Sequence, residues 1–116
     1  MSVTLYGIPN CDTVKKARTW LEQADISYDF HDFRKDGLDK EQVVAWIDEL
    51  GWEVLLNKRS TSWKALDEGL RANMDANSAL TAILESPTLI KRPLLDDGKA
   101  RKVGFKAADY ENIFKS

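Results

Sequence analysis

The first third of the chain switches between two hydrophobic periods, and that switching admits few folds. Val3 to Tyr6 is a short apolar run, stopped by Gly7 and Pro9. Val14, Ala17, Leu21 and Ala24 then recur at helical spacing, with Lys15, Lys16, Arg18 and Glu22 between them. Ile26, Tyr28 and Phe30 alternate with polar residues. This pattern predicts a strand over 2–6, a helix over 12–24 and a strand over 26–32. Strand, helix and strand in that order make a βαβ unit, which implies a parallel pair joined by a right-handed crossover.

The only cysteine, Cys11, falls between the first strand and the helix. A thiol is a nucleophile as its thiolate, and a helix N-terminus favours the thiolate. The backbone N–H groups of a first helical turn can also hold an anion. A structural cysteine would more often sit inside an apolar run. One cysteine excludes an internal disulfide and a zinc site built on cysteine clusters. Redox chemistry at Cys11 therefore needs a second thiol from outside, such as glutathione or a partner thiol protein. Asn10 and Asp12 flank the thiol, either as caps for the helix or as groups binding an anion.

The middle of the chain reads as helical. Asp39 with Gln42 has the spacing of a capping box, and Val43, Val44, Ile47 and Leu50 follow before Gly51 closes the element. Further helices are expected around 63–70 and over 77–85, the latter ended by Ser86-Pro87. The last third returns to β character. Leu89 to Leu95 is apolar apart from Lys91-Arg92-Pro93, and Asp96-Asp97-Gly98 is a turn signal. Residues 102–105 can return as a strand, and 107–114 can form a helix with Ala108, Ile113 and Phe114 facing inward.

Composition narrows the class. The chain has 116 residues, enough for one domain with a core. A formal net charge of −2 argues against a general nucleic-acid-binding role. No apolar run approaches the roughly 18 residues of a membrane span, and the N-terminus reads as a strand rather than a signal core. A cytoplasmic location is expected, with no membrane partner, no metal and no bound cofactor; the oligomeric state is left open.

A βαβ half, a helical insertion and a ββα half resemble the thioredoxin arrangement. Three segments make the likeness more specific: Tyr6-Gly7-Ile8-Pro9-Asn10-Cys11, Leu55-Leu56-Asn57-Lys58-Arg59 and Leu89-Ile90-Lys91-Arg92-Pro93-Leu94. Together they resemble the arsenate reductase-like branch of the thioredoxin superfamily, which also holds Spx-type transcription regulators and glutaredoxin-like proteins. The resemblance implies an α/β thioredoxin-like fold with a mixed sheet. It also implies a single domain, with a core at 1–35 and 86–116 and an all-helical insertion at 36–85.

The resemblance carries expectations for the site as well. In arsenate reductases the cysteine after the first strand attacks the oxyanion, and three arginines surround it. Cys11 matches that cysteine, and Arg92 matches the arginine before the proline. The second arginine position falls at Asn57, with Arg59 two residues on. The third falls around Phe105, beside Lys106. Pro93 is implied to be a cis proline facing the thiol, with a backbone that can pair with an extended thiol peptide such as glutathione. Arg92 would hold an anion or favour the thiolate, and Asn57, Arg59 and Pro93 would contact the substrate. The lone histidine, His31, is not aimed at Cys11 by anything in the pattern, and Trp20, Trp46, Trp52 and Trp63 read as packing residues.

The reading that follows is a thiol oxidoreductase acting through a Cys11 mixed disulfide, with glutathione as co-substrate. Two alternatives stand beside it. One is a glutathione- and glutaredoxin-dependent arsenate reductase. The other is a Spx-like regulator that binds a protein partner without catalysis.

Overall fold

The computed structural model describes residues 3–115. In chain order the elements are β1 (Thr4–Gly7), α1 (Asp12–Gln23), β2 (Asp29–Asp32), α2 (Phe33–Asp36), α3 (Lys40–Leu50), α4 (Trp52–Leu55), α5 (Thr61–Lys64), α6 (Glu68–Ala72), α7 (Ala76–Glu85), β3 (Leu94–Asp96), β4 (Arg101–Val103) and α8 (Ala107–Lys115). A 3₁₀ turn at Pro87–Leu89 precedes β3. The chain divides into two compact units, one of residues 1–32 with 92–116 and one of residues 33–91.

The first unit is the α/β unit. Its sheet runs β2-β1-β3-β4 and is mixed. β1 pairs in parallel with β2, Leu5 opposite Phe30, and antiparallel with β3, Leu5 opposite Leu95. β1 is the inner strand joining the two halves, and Leu5, Tyr6, Gly7 and Ile8 are all buried. A strand covered on both faces reads as a continuous apolar run, as Val3 to Tyr6 does. α1 lays Val14, Ala17 and Leu21 inward. Leu5, Ala17, Leu21, Leu95 and Tyr110 form one core, with Trp20, Phe105, Ile113 and Phe114 packed against it.

Four expectations need correction. The second strand is confined to Asp29–Asp32, because its ladder opens opposite Thr4, where β1 begins. The apolar stretch from Leu89 is not one strand. Ile90 bridges to Leu56, the Arg92–Pro93 peptide bond is cis, and β3 starts only at Leu94. In α8, Ala108 is exposed, and the fully buried residue is Tyr110. Tyr110, Ile113 and Phe114 share the inward stripe, at i, i+3 and i+4. The expected turn does close the β3–β4 hairpin, with Gly98 at φ 92° and the Asp97 carboxylate accepting from the Lys99 and Ala100 amides. The returning strand ends at Val103, before Gly104 at φ 81°.

The second unit is helical, apart from the Leu56–Ile90 bridge. Val43, Trp46, Ile47, Leu55, Leu56, Ala79, Ile83 and Leu89 are buried. Asp39 is the N-cap residue of α3 but its side chain makes no cap bond, so the expected Asp39–Gln42 box does not form. The capping box lies instead at the start of α7, where Asp75 accepts from the Ser78 amide at 2.8 Å and Ser78 Oγ accepts from the Asp75 amide at 3.3 Å. The helix expected over 63–70 is two short helices. Ser60 caps the first, and Asp67 accepts from the Gly69 and Leu70 amides to start the second. A side chain that bonds the amides ahead of it offers the backbone an alternative to continuing the previous helix.

Two substitutions test this packing. A Cβ on Gly7 would lie 2.7 Å from Val14 Cγ2, so Gly7→Ala forces β1 and α1 apart. Chemical denaturation should show a loss of about 1–3 kcal/mol, largely restored by adding Val14→Ala; a neutral Gly7→Ala would contradict the close approach. The buried Tyr110 hydroxyl has no hydrogen-bond partner among the described residues, and burial pushes its phenol pKa up. Tyr110→Phe removes an unsatisfied group and should raise stability by about 1 kcal/mol. A loss of that size would mean the hydroxyl is satisfied.

Candidate functional site

Cys11 is placed by the way β1 gives way to α1. Ile8 is still buried, while Pro9 and Asn10 are exposed, so the chain leaves the sheet and turns at the surface. Cys11 follows in extended backbone, φ −102° and ψ 125°, as the N-cap residue of α1. Its carbonyl accepts from the Lys15 amide at 2.9 Å, which closes the first helical turn. No side chain caps this helix. Asn10 and Asp12 therefore do not act as the caps expected of them: Asn10 lies before the cap position, and Asp12 is the exposed first helical residue. The half-buried thiol sits at a helix start whose amides have no side-chain acceptor.

Arg92 and Pro93 come to the same end of the sheet. In the antiparallel β1–β3 ladder Tyr6 faces Leu94. One step further along that register, Pro93 is level with Gly7, where β1 ends and the loop to Cys11 begins. Pro93 is buried behind a cis bond, and its carbonyl accepts from the Gly104 amide at 2.9 Å. Arg92 is half-buried. The structure thus brings Asn10, Cys11, Asp12, Arg92 and Pro93 to one sheet end, the end where ligands gather in open α/β sheets. His31 lies on β2, its ring 4.8 Å from that of Tyr6 and tilted by 45°.

Asn57 and Arg59 belong to the helical unit. The Asn57 amide donates to the Leu89 carbonyl at 2.8 Å, and the Lys91 amide donates to the Leu55 carbonyl at 2.8 Å. These bonds tie the segment after α4 to the segment before β3. Asn57 Oδ1 accepts from the Arg59 amide at 3.1 Å, and the Asn57 carbonyl accepts from Ser60 Oγ at 2.7 Å. The Asn57 side-chain carbonyl is therefore used inside the turn. Arg59 is exposed, and together with Glu53, Leu56, Asn57, Lys58 and Lys91 it lines an open cavity of about 620 Å³.

Two cations of this cavity, Lys58 and Lys91, lie inside the resembling segments, which assign them no role. Lys58 places its ammonium 5.7 Å from the Trp52 ring centroid and 5.8 Å from that of Trp63. Both indoles are half-buried and act as cation–π partners rather than core residues alone. Their sequence positions give no sign of this, since they flank Lys58 from two different helices. Lys91 joins the cavity only through the backbone pairing of Leu55. Only Trp46 among the tryptophans is a fully packed residue, at 2% exposure. No cluster of histidine, cysteine and carboxylate suited to a metal occurs among the described residues, and no helix there is long and apolar enough to cross a membrane.

Comparison with known proteins gives these features a family. The solved YFFB (PA3664) protein is 43% identical, with a TM-score of 0.92, over 96% of this chain and 97% of that one. An arsenate reductase (ArsC) related protein from Brucella melitensis is 49% identical, with a TM-score of 0.80, over 100% of this chain and 97% of that one. The global transcriptional regulator Spx of Lactiplantibacillus plantarum is 29% identical over 105 residues, which cover 89% of this chain and 79% of the regulator. The ArsC family model matches residues 6–113, so the Cys11 loop, the helical unit and all of the sheet except the first two residues of β1 fall within the match. This chain belongs to the ArsC family, on a thioredoxin-like α/β fold.

Proposed function

We propose that the protein is a single-cysteine thiol–disulfide oxidoreductase that uses glutathione as its external thiol. The observation that carries this reading is the half-buried Cys11 at the uncapped start of α1. First-turn amides can stabilise negative charge on an adjacent sulfur. The Cys11 thiolate attacks one sulfur of a substrate disulfide. A new S–S bond forms to Cys11, the old one breaks, and the leaving thiolate takes a proton. A glutathione thiolate then attacks the mixed disulfide and releases the second half of the substrate as a thiol. A second glutathione attacks the resulting Cys11–glutathione disulfide, restores the Cys11 thiolate and leaves as oxidised glutathione. Two glutathiones are oxidised for each disulfide reduced. Arg92 serves as a binding group for the glutathione carboxylate or the developing thiolate, and the backbone of the Arg92–Pro93 segment receives the glutathione peptide as a short strand.

The test is reduction of bis(2-hydroxyethyl) disulfide by glutathione, followed through the formation of oxidised glutathione. Cys11→Ser should abolish turnover above the uncatalysed rate. Arg92→Ala should lower kcat/KM by about tenfold, the scale of one lost charge-assisted hydrogen bond. Unchanged turnover in Cys11→Ser would refute the reading.

The likeness to an arsenate reductase (ArsC) related protein supports a second reading for the same thiol, the reduction of arsenate. Arsenate turnover with glutathione and glutaredoxin that exceeds a Cys11→Ser control would favour it. Asn57 in place of an arginine, its amide oxygen engaged in the turn, leads us to expect no such excess. The likeness to Spx supports a third, a regulator that binds a protein partner through this fold without catalysis.

A further inference from the structure

α1 has a second exposed feature besides its N-terminus. Lys15, Lys16, Thr19, Trp20 and Gln23 line an open groove of about 380 Å³, closed on its other side by Phe105. Trp20 and Phe105 form its apolar floor, and both rings stand edge-on to the buried Tyr110 ring, at 5.6 Å and 4.8 Å between centroids. Edge-to-face packing on a buried ring holds the floor in place before anything binds. The rim is cationic. Lys15 and Lys16 are exposed and make no ion pair among the described residues. The remaining cation of α1, Arg18, is engaged by the Tyr28 hydroxyl at 3.0 Å and the Phe30 ring at 4.3 Å. The carboxylates of α1, Asp12 and Glu22, do not line the groove. A chain with a formal net charge of −2 thus keeps two unpaired cations beside an apolar floor, on the helix that starts at its only thiol.

We infer that this groove docks a peptide segment of a protein disulfide substrate, one that carries an acidic and a large apolar side chain near its cysteine. This rests on the thiol reading of Cys11 and names the substrate class for it. The open shape suits a peptide side chain better than a small molecule, whose sites enclose most of the ligand. The charge complementarity calls for carboxylates, which act mainly through encounter rate and register. Trp20 lies nine positions after Cys11. At about 1.5 Å rise per helical residue that is roughly 13 Å along the axis. An extended peptide advances about 3.3 Å per residue. The docking side chains therefore belong about four to six positions from the substrate cysteine, once the oblique path around the helix is included.

The test uses two peptides, each with one cysteine in a mixed disulfide with 2-mercaptoethanol and a leucine five positions away. One peptide flanks the leucine with glutamates and the other with lysines. The rate at which free Cys11 is lost to attack on each peptide disulfide is followed by intact mass. Each rate is divided by the rate of the same protein with bis(2-hydroxyethyl) disulfide. The protein should react about tenfold faster with the acidic peptide, on the scale of rim-charge steering. Thr19→Glu, an exposed change within the groove, should reduce that preference below about twofold, and Thr19→Lys should widen it. Reaction with the small disulfide but no preference between peptides, or a preference that neither Thr19 variant moves, overturns the groove while leaving the thiol reading intact. No reaction of Cys11 with any of the three disulfides overturns the thiol reading and the groove's role with it.

Discussion

The close contact of α1 with β1 governs the rest of the α/β unit. Gly7 ends the strand and Val14 stands in the first turn of the helix, and the space between them leaves no room for a Cβ on residue 7. Only two residues separate Cys11 from Val14 in sequence, so this contact also fixes where the helix begins and where the thiol stands. The same helix presents Ala17 and Leu21 to Leu5 and Leu95, which ties the placement of Cys11 to the core and not to the surface turn that carries it. A turn held only by its own bonds could shift by an ångström. A turn whose two ends are strand and helix packed at van der Waals contact is held far more tightly.

The two units organise cations by different means. In the α/β unit Arg92 is delivered by strand register, one residue before a buried proline. In the helical unit Lys58 and Arg59 are delivered by a turn built on Asn57, Ser60 and backbone bonds to Leu89. Asn57 is instructive here. The arsenate reductase resemblance implies an arginine at this point, and this chain has an amide whose oxygen closes the turn. Relatives of this chain include both an arsenate reductase (ArsC) related protein and Spx regulators, so the fold itself does not choose between chemistry and partner binding. The groups at the sheet end and along α1 have to make that choice.

Much of the fold could be read in advance because it rests on periodicity. The apolar run of β1, the 3.6-residue stripe of Val14, Ala17 and Leu21, and the Asp96-Asp97-Gly98 turn are local patterns with one structural meaning each. The helical block was harder to divide. Ser60 and Asp67 cap two short helices where apolar spacing suggests a single one, and Asp75 with Ser78 forms the box whose spacing Asp39 with Gln42 also has. Cap residues are also common in turns and helix interiors, so only the backbone they meet decides which of them bond. The inward face of α8 falls at Tyr110 and not at Ala108 for a related reason. In a short terminal helix, packing against Trp20 and Phe105 selected Tyr110, which carries the larger apolar surface.

The sequence alone determined that a lone thiol would stand between a buried strand and an amphipathic helix. That much follows from residue spacing and from the cysteine count. It also determined that any redox cycle must borrow a second thiol. Tertiary structure decided which distant groups gather within each unit. Strand register, a relation between residues nearly 90 positions apart, brings Pro93 level with Gly7. Backbone pairing of Leu55 with Lys91 sets Lys91 beside Arg59, and edge-to-face stacking on Tyr110 turns Trp20 and Phe105 into one floor. Local spacing carries no record of such long-range contacts, because they exist only once the core has closed and each side chain has taken the place its neighbours leave open.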